Sequence, residues 1–159
     1  MTWPPAAPSA RELSLHACAL VVGERGVLIR GPSGAGKSTL SLAILARARA
    51  SGAYAALVAD DRVFLRVASS HLLARGTAGF EGVIERRGEG LLEEAYEPCA
   101  VLHLLVDLCA RGRAPPRWPP EAERHVDLEG VRLPRLALDS GPGPHEGAYA
   151  ALYRLARVA

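Results

Sequence analysis

The chain of 159 residues contains no asparagine and no glutamine, and of its 19 basic side chains only one is a lysine. Aromatic residues are scarce, at 5%, which argues against a platform for stacking nucleic-acid bases. The three cysteines, Cys18, Cys99 and Cys109, are odd in number and form no CxxC pair. That argues against a disulfide framework and a zinc site, and favours buried free thiols in a reducing compartment. Charge of one sign is not in excess: the net charge of +2 is too small to draw a nucleic acid or a membrane by bulk electrostatics. No apolar run of about 18 residues is present, so no membrane-spanning helix is expected. The opening MTWPPAAPSA has neither the basic nor the apolar region of a secretory signal, and a cytoplasmic protein is expected.

What is present is ordinary for a folded domain. A hydrophobic share of 49% and a charged share of 23% fit a globular chain. The length suits one domain able to bury roughly two-thirds of its unfolded surface. The lone lysine is the informative residue. The bias that made the other 18 basic residues arginine, attributable to a GC-rich genome, spared Lys37. Lysine is a compact point charge on a thin stem and arginine a wide planar fork, so they are not interchangeable where an ammonium must enter a tight loop.

Residues 1–10 read as a disordered Pro- and Ala-rich tail and 11–159 as one domain. Residues 12–22 read as a strand, Gly23 to Gly26 as a hairpin turn and 27–30 as a second strand. A glycine-rich loop follows, then a helix over 37–50 with Leu40, Leu42, Ile44 and Leu45 on its apolar side, stopped at Ser51-Gly52. Strands are expected at 55–59, 62–67, 71–74 and 100–108. Residues 76–90 read as a loop holding one short strand. The prolines at 115, 116, 119 and 120 make 110–123 a loop. A hairpin is expected over 126–133 and a helix over 147–158. Strands outnumber helices without regular βαβ alternation, so the expected class is α/β, with a mixed, largely antiparallel sheet around one phosphate-loop helix.

The chemistry concentrates in four places. Gly31-Pro32-Ser33-Gly34-Ala35-Gly36-Lys37-Ser38 matches the Walker A pattern between a strand and a helix, with Thr39 next in line. Glycines let main-chain N–H groups converge on phosphate oxygens, and the helix dipole points at the same place. Lys37 is placed for the β and γ phosphates of ATP and Ser38 for Mg²⁺. Asp60-Asp61 closes a buried strand. One carboxylate there can organise a metal and the other can take a proton from a hydroxyl, while a solvated turn is the plainer alternative. His16 lies on the strand before the loop and Glu85 in a charged loop; a packed histidine and a solvated charge are the plainer readings of these two. Arg117, in Pro116-Arg117-Trp118-Pro119, could neutralise phosphoryl charge, although arginine is common throughout the chain.

Taken together, His16, GPSGAGKS, LVADD at 57–61 and IERRGEGLL at 84–92 resemble the catalytic domain of HPr kinase/phosphorylase, over about residues 12–158. The resemblance implies a single domain with a phosphoenolpyruvate carboxykinase-like fold, in the short form of alphaproteobacteria without a separate N-terminal domain. It implies an ATP- and Mg²⁺-dependent kinase acting on a serine of the phosphocarrier HPr, and a homo-oligomer, a hexamer in long members. Carried over residue by residue, it makes Asp61 the acceptor of the serine proton, with His16 and Lys37 in the catalytic group. Ser38, Asp60 and Glu85 become the metal-holding set. Arg117 becomes the catalytic arginine, with Arg124 as the alternative. The loop at 136–146 (LALDSGPGPHE) lacks the arginine that long members use in dephosphorylation, so the resemblance carries the kinase direction and leaves phosphorolysis open. The alternatives are a kinase of the same fold acting on another substrate, and a nucleotide-binding regulatory module without turnover; the intact Asp60-Asp61 pair favours an enzyme.

Overall fold

Among the described residues, ten strands and two α-helices form a helix layer, two layers of sheet and a separate two-stranded hairpin. The structure, a computed structural model, describes Trp3, residues 11–110 and residues 112–158. Apart from Trp3, the expected tail lies outside the described residues. The strands are β1 (Leu13–Val22), β2 (Arg25–Arg30), β3 (Ala55–Ala59), β4 (Arg62–Ala68), β5 (His71–Arg75), β6 (Val83–Arg86), β7 (Gly90–Glu93), β8 (Cys99–Leu108), β9 (His125–Leu128) and β10 (Val131–Leu138). The helices are α1 (Lys37–Ala50) and α2 (Pro144–Leu155).

One layer runs in the order β3–β1–β2–β8–β10. β2 and β10 both pair with β8 in parallel, and β3 and β2 both run antiparallel to β1. Four strands of this layer therefore point the same way, and β1 alone is reversed. The second layer is formed by β4 and β5, joined to the first half of β1 and the first residues of β8. Both long strands thus change partner along their length. The expectation of a mixed, largely antiparallel sheet holds for the whole set of pairings, and parallel strands gather where the helices pack.

Alternation along the strands separates two cores. Cys18, Leu20, Val27, Ile29, Leu104 and Val106 face Leu40, Ile44, Leu45 and Ala48 of α1 and Ala148, Ala151 and Leu155 of α2. Ala17, Ala19, Val21, Leu28 and Leu105 face the other way, onto Val63, Leu65, Leu72 and Ala74 of the second layer. α2 lies close to α1 at Gly147, where an added Cβ would sit 3.0 Å from Leu40 Cδ1.

Several boundaries depart from the sequence expectations. The one short strand expected within 76–90 is present as β6, and it pairs with a second arm, β7 at Gly90–Glu93, that the sequence did not signal. β10 continues to Leu138, five residues beyond the expected end, because its last four residues pair with β8. α2 begins at Pro144 rather than at 147, with proline in the first turn where its missing N–H costs nothing.

Candidate nucleotide site

Because β2, β3 and β10 run in one direction, the loops after all three open at one end of the helix-bearing layer, where open sheets hold their ligands. They enclose a cavity of about 470 Å³, lined by residues 33–40, His16, Cys18, Asp60, Asp61, Glu85, Arg87, Leu108, Asp139, Ser140, Gly143, Pro144 and Gly147.

The floor is the loop between β2 and α1. At Gly31 the chain passes so close to β8 that a Cβ would lie 2.7 Å from the Leu108 carbonyl oxygen. Gly36 opens α1 with φ of 96°, a left-handed conformation, and no side chain caps the helix. The first N–H groups of a helix have no partner within it, and here they face a cavity. The Lys37 side chain is buried, and its ammonium donates to the carbonyl oxygens of Gly31 (3.1 Å) and Pro32 (3.2 Å). Among the described residues no carboxylate pairs with it. A buried cation with carbonyl partners alone, beside uncapped helix amides, is a binding site for an anion.

Asp60 forms the wall on the β3 side. Its Oδ1 accepts from the Ser38 hydroxyl (2.9 Å) and the Cys18 thiol (2.8 Å), and its Oδ2 from the Glu85 main-chain N–H (2.9 Å). Burial first, and then the neighbouring Asp60 charge, push the Cys18 thiol up to about 12, so it stays protonated and donates. Asp61 occupies the rim. The Arg62 N–H donates to the Asp60 carbonyl at 2.8 Å with Asp61 at φ of 66°, which makes Asp61 the centre of a strained γ-turn. Its Oδ1 lies 2.7 Å from His16 Nε2, and both side chains are largely exposed.

The oxygen donors suit Mg²⁺, which prefers one or two protein ligands together with substrate phosphates and water. Among the described residues no group of three His, Cys, Asp or Glu side chains is assembled to hold a metal alone. Ser38 and Asp60, bonded to each other, are the residue types that share Mg²⁺ in phosphate-loop proteins.

Below the loop, Asp107 on β8 ties two strands together. It accepts from Arg30 on both oxygens (2.6 and 2.9 Å) and from Arg135 Nε (2.6 Å). Burial pushes this carboxyl up, but the hydrogen bonds and charges of Arg30 and Arg135 outweigh it and hold the group below the usual carboxylate range. Arg30 immediately precedes Gly31, so the clamp fixes where the loop starts.

His16, Lys37, Ser38, Thr39, Asp60, Asp61 and Glu85 thus line one cavity with residues 33–36. Gly31 and Pro32 contribute carbonyls to the floor. Arg117 is exposed in the Pro-rich loop and does not line the cavity. Nor does Arg124, which donates to the Pro119 carbonyl and Glu121. Sequence reasoning passed over Cys18, Arg87, Asp139 and Ser140 as site residues. Asp139 directly follows the end of β10, but the strand expected from the sequence ends at 133, so no local signal marked it.

The fold and the cavity define a phosphate-loop protein, with acidic groups facing the loop across the site. Residues 8–96 match the family model of the HPr Serine kinase C-terminal domain. The chain is 37% identical over 145 residues to the HPr kinase/phosphorylase of Azoarcus sp. (strain BH72), covering 84% of this chain and 44% of that protein. It is 35% identical over 144 residues to the HPr kinase/phosphorylase of Aromatoleum aromaticum, with the same shares covered. Among solved structures, the Hpr(Ser) kinase/phosphatase from Coxiella burnetii superposes with a TM-score of 0.73 at 26% identity, over 91% of this chain and 90% of that one. The chain belongs to the HPr serine kinase C-terminal domain family. It spans 44% of the length of these two curated relatives. No described helix is long and apolar enough to cross a membrane.

Proposed function

We propose that this chain is an ATP-dependent protein serine kinase whose substrate is an HPr-like phosphocarrier protein in the cytoplasm. The observation that carries the reading is the buried Lys37 ammonium, free of carboxylate partners among the described residues and facing the Asp60-Asp61 pair across one cavity. Family membership and the names of the relatives support the substrate class.

Lys37 and the amides at the start of α1 would hold the β and γ phosphates and draw charge from them as transfer proceeds. Ser38 and Asp60, with Glu85 beside them, would hold Mg²⁺, which neutralises phosphate charge when bound. Asp61, exposed at the rim where a protein hydroxyl can reach it, would accept the serine proton. His16 orients that carboxylate through the 2.7 Å contact. Most of the rate would come from positioning and electrostatics.

The test is incubation of the purified protein with ATP, Mg²⁺ and HPr, followed by mass spectrometry to locate phosphate. Phosphoserine on HPr is expected. Bound ATP without transfer to HPr would instead indicate a nucleotide-binding module or a kinase of another substrate.

A further inference from the structure

The cavity has a second wall that phosphate chemistry does not use. In the helix-bearing layer β3 lies on one side, β2 near the middle and β10 on the far side of β8, flanked by β9 only along its first half. Asp60 and Asp61 follow β3, the phosphate loop follows β2, and Asp139-Ser140 follow β10. Reacting groups and phosphates therefore take up one side and the centre, and the β10 side is left for the rest of the nucleotide.

That side is equipped for a sugar. Asp139 presents a carboxylate whose Oδ1 accepts from the Gly141 N–H at 3.0 Å, which fixes the turn. Ser140 lines the cavity, and its hydroxyl oxygen is buried with no hydrogen-bond partner among the described residues. A buried hydroxyl without a partner costs stability unless a ligand or water completes it. Leu108 and Pro144 supply apolar surface beside these polar groups. The bare Gly147 lets α2 approach Leu40, which brings this wall up to the start of α1.

We propose that Asp139 and Ser140 hold the ribose of the nucleotide, with Leu108 and Pro144 against the nucleoside, and that this wall distinguishes a nucleotide from a bare polyphosphate. The proposal rests on the reading of the cavity as a nucleotide site. A carboxylate accepting from ribose hydroxyls is the arrangement by which other nucleotide-binding folds grip the sugar.

The experiment is calorimetric titration of the wild type, Asp139→Asn and Ser140→Ala with ATP and with inorganic tripolyphosphate, each with Mg²⁺. The wild type should bind ATP more tightly than tripolyphosphate. Each variant should lose about 3- to 10-fold in ATP affinity, as expected for one hydrogen bond, and keep its tripolyphosphate affinity. Retained tripolyphosphate binding also shows that the variant is folded. Unchanged ATP affinity in both variants would overturn the proposal, as would equal losses for both ligands. ATP affinity unchanged with a raised KM for the phosphate-accepting protein would overturn it too, by assigning the wall to that partner. Failure of the kinase reading shows up separately, as absent phosphoserine on HPr with ATP binding intact.

Discussion

The Ser38 hydroxyl donates to Asp60 Oδ1 at 2.9 Å, joining the first turn of α1 to the end of β3. If these two oxygens share Mg²⁺, Asp60→Asn should weaken MgATP binding about tenfold and leave binding of ATP in EDTA nearly unchanged. Titrations under the two conditions check this. An equal loss in both would mean that Asp60 acts on the loop rather than on a metal.

Lys37 is a buried charge that gains a full partner only from a ligand. Lys37→Met should reduce ATP affinity by at least about 100-fold, because a charge-assisted contact to phosphate is lost. The same substitution should leave the melting temperature equal or higher, since it removes a buried ammonium with carbonyl partners alone. Calorimetry and thermal melts on the same sample read both effects. A marked fall in stability would show that Lys37 is structural.

Asp61 occupies a backbone conformation that glycine adopts without strain. Asp61→Gly should therefore raise stability by about 1 kcal/mol in urea denaturation, even though it removes the exposed pair with His16. A stabilised protein without transfer activity would mark Asp61 as a position held under strain for function. Destabilisation would mean that the His16 contact outweighs the strain.

The Asp107 carboxyl is held below its ordinary range in the folded protein by Arg30 and Arg135. Its contribution is fully present above the unfolded value of about 4 and is lost as pH falls through the lower folded value. Asp107→Asn should cost about 2 kcal/mol at pH 7, discounted from a fully buried pair because both arginines are partly exposed. The gap between wild type and variant should stay constant from pH 7 to about 5 and narrow below about 4. Melts across that range decide it; a gap that grew on acidification would contradict the assignment.

Much of this was legible in the sequence wherever the signal was local. α1 begins at Lys37 and ends at Ala50 as its pattern and the Ser51-Gly52 stop require, and β3 coincides with the apolar run 55–59. The missed second arm of the β6–β7 hairpin has a physical cause. Of its residues, 90–93, none is buried, so burial left no strong alternation to read. The extension of β10 came from pairing with β8, a partner about 30 residues earlier in the chain. The site divides in the same way. Lys37, Ser38, Asp60 and Asp61 announce themselves by spacing. Cys18 joins Asp60, and Arg30 joins Arg135 through Asp107, only because the topology makes neighbours of distant strands. Asp139 and Ser140 reach the cavity by the same route, after a strand whose end the sequence placed too early.

In the proposed chemistry Asp61 acts on a hydroxyl and not on the nucleotide. The direct measurement is the MgATP dissociation constant and the rate of phosphate transfer to HPr, taken for wild type and Asp61→Asn on the same preparations. The expected result is a dissociation constant within about twofold of wild type and a transfer rate lower by about 10²- to 10⁴-fold. Transfer by Asp61→Asn at the wild-type rate would contradict the account.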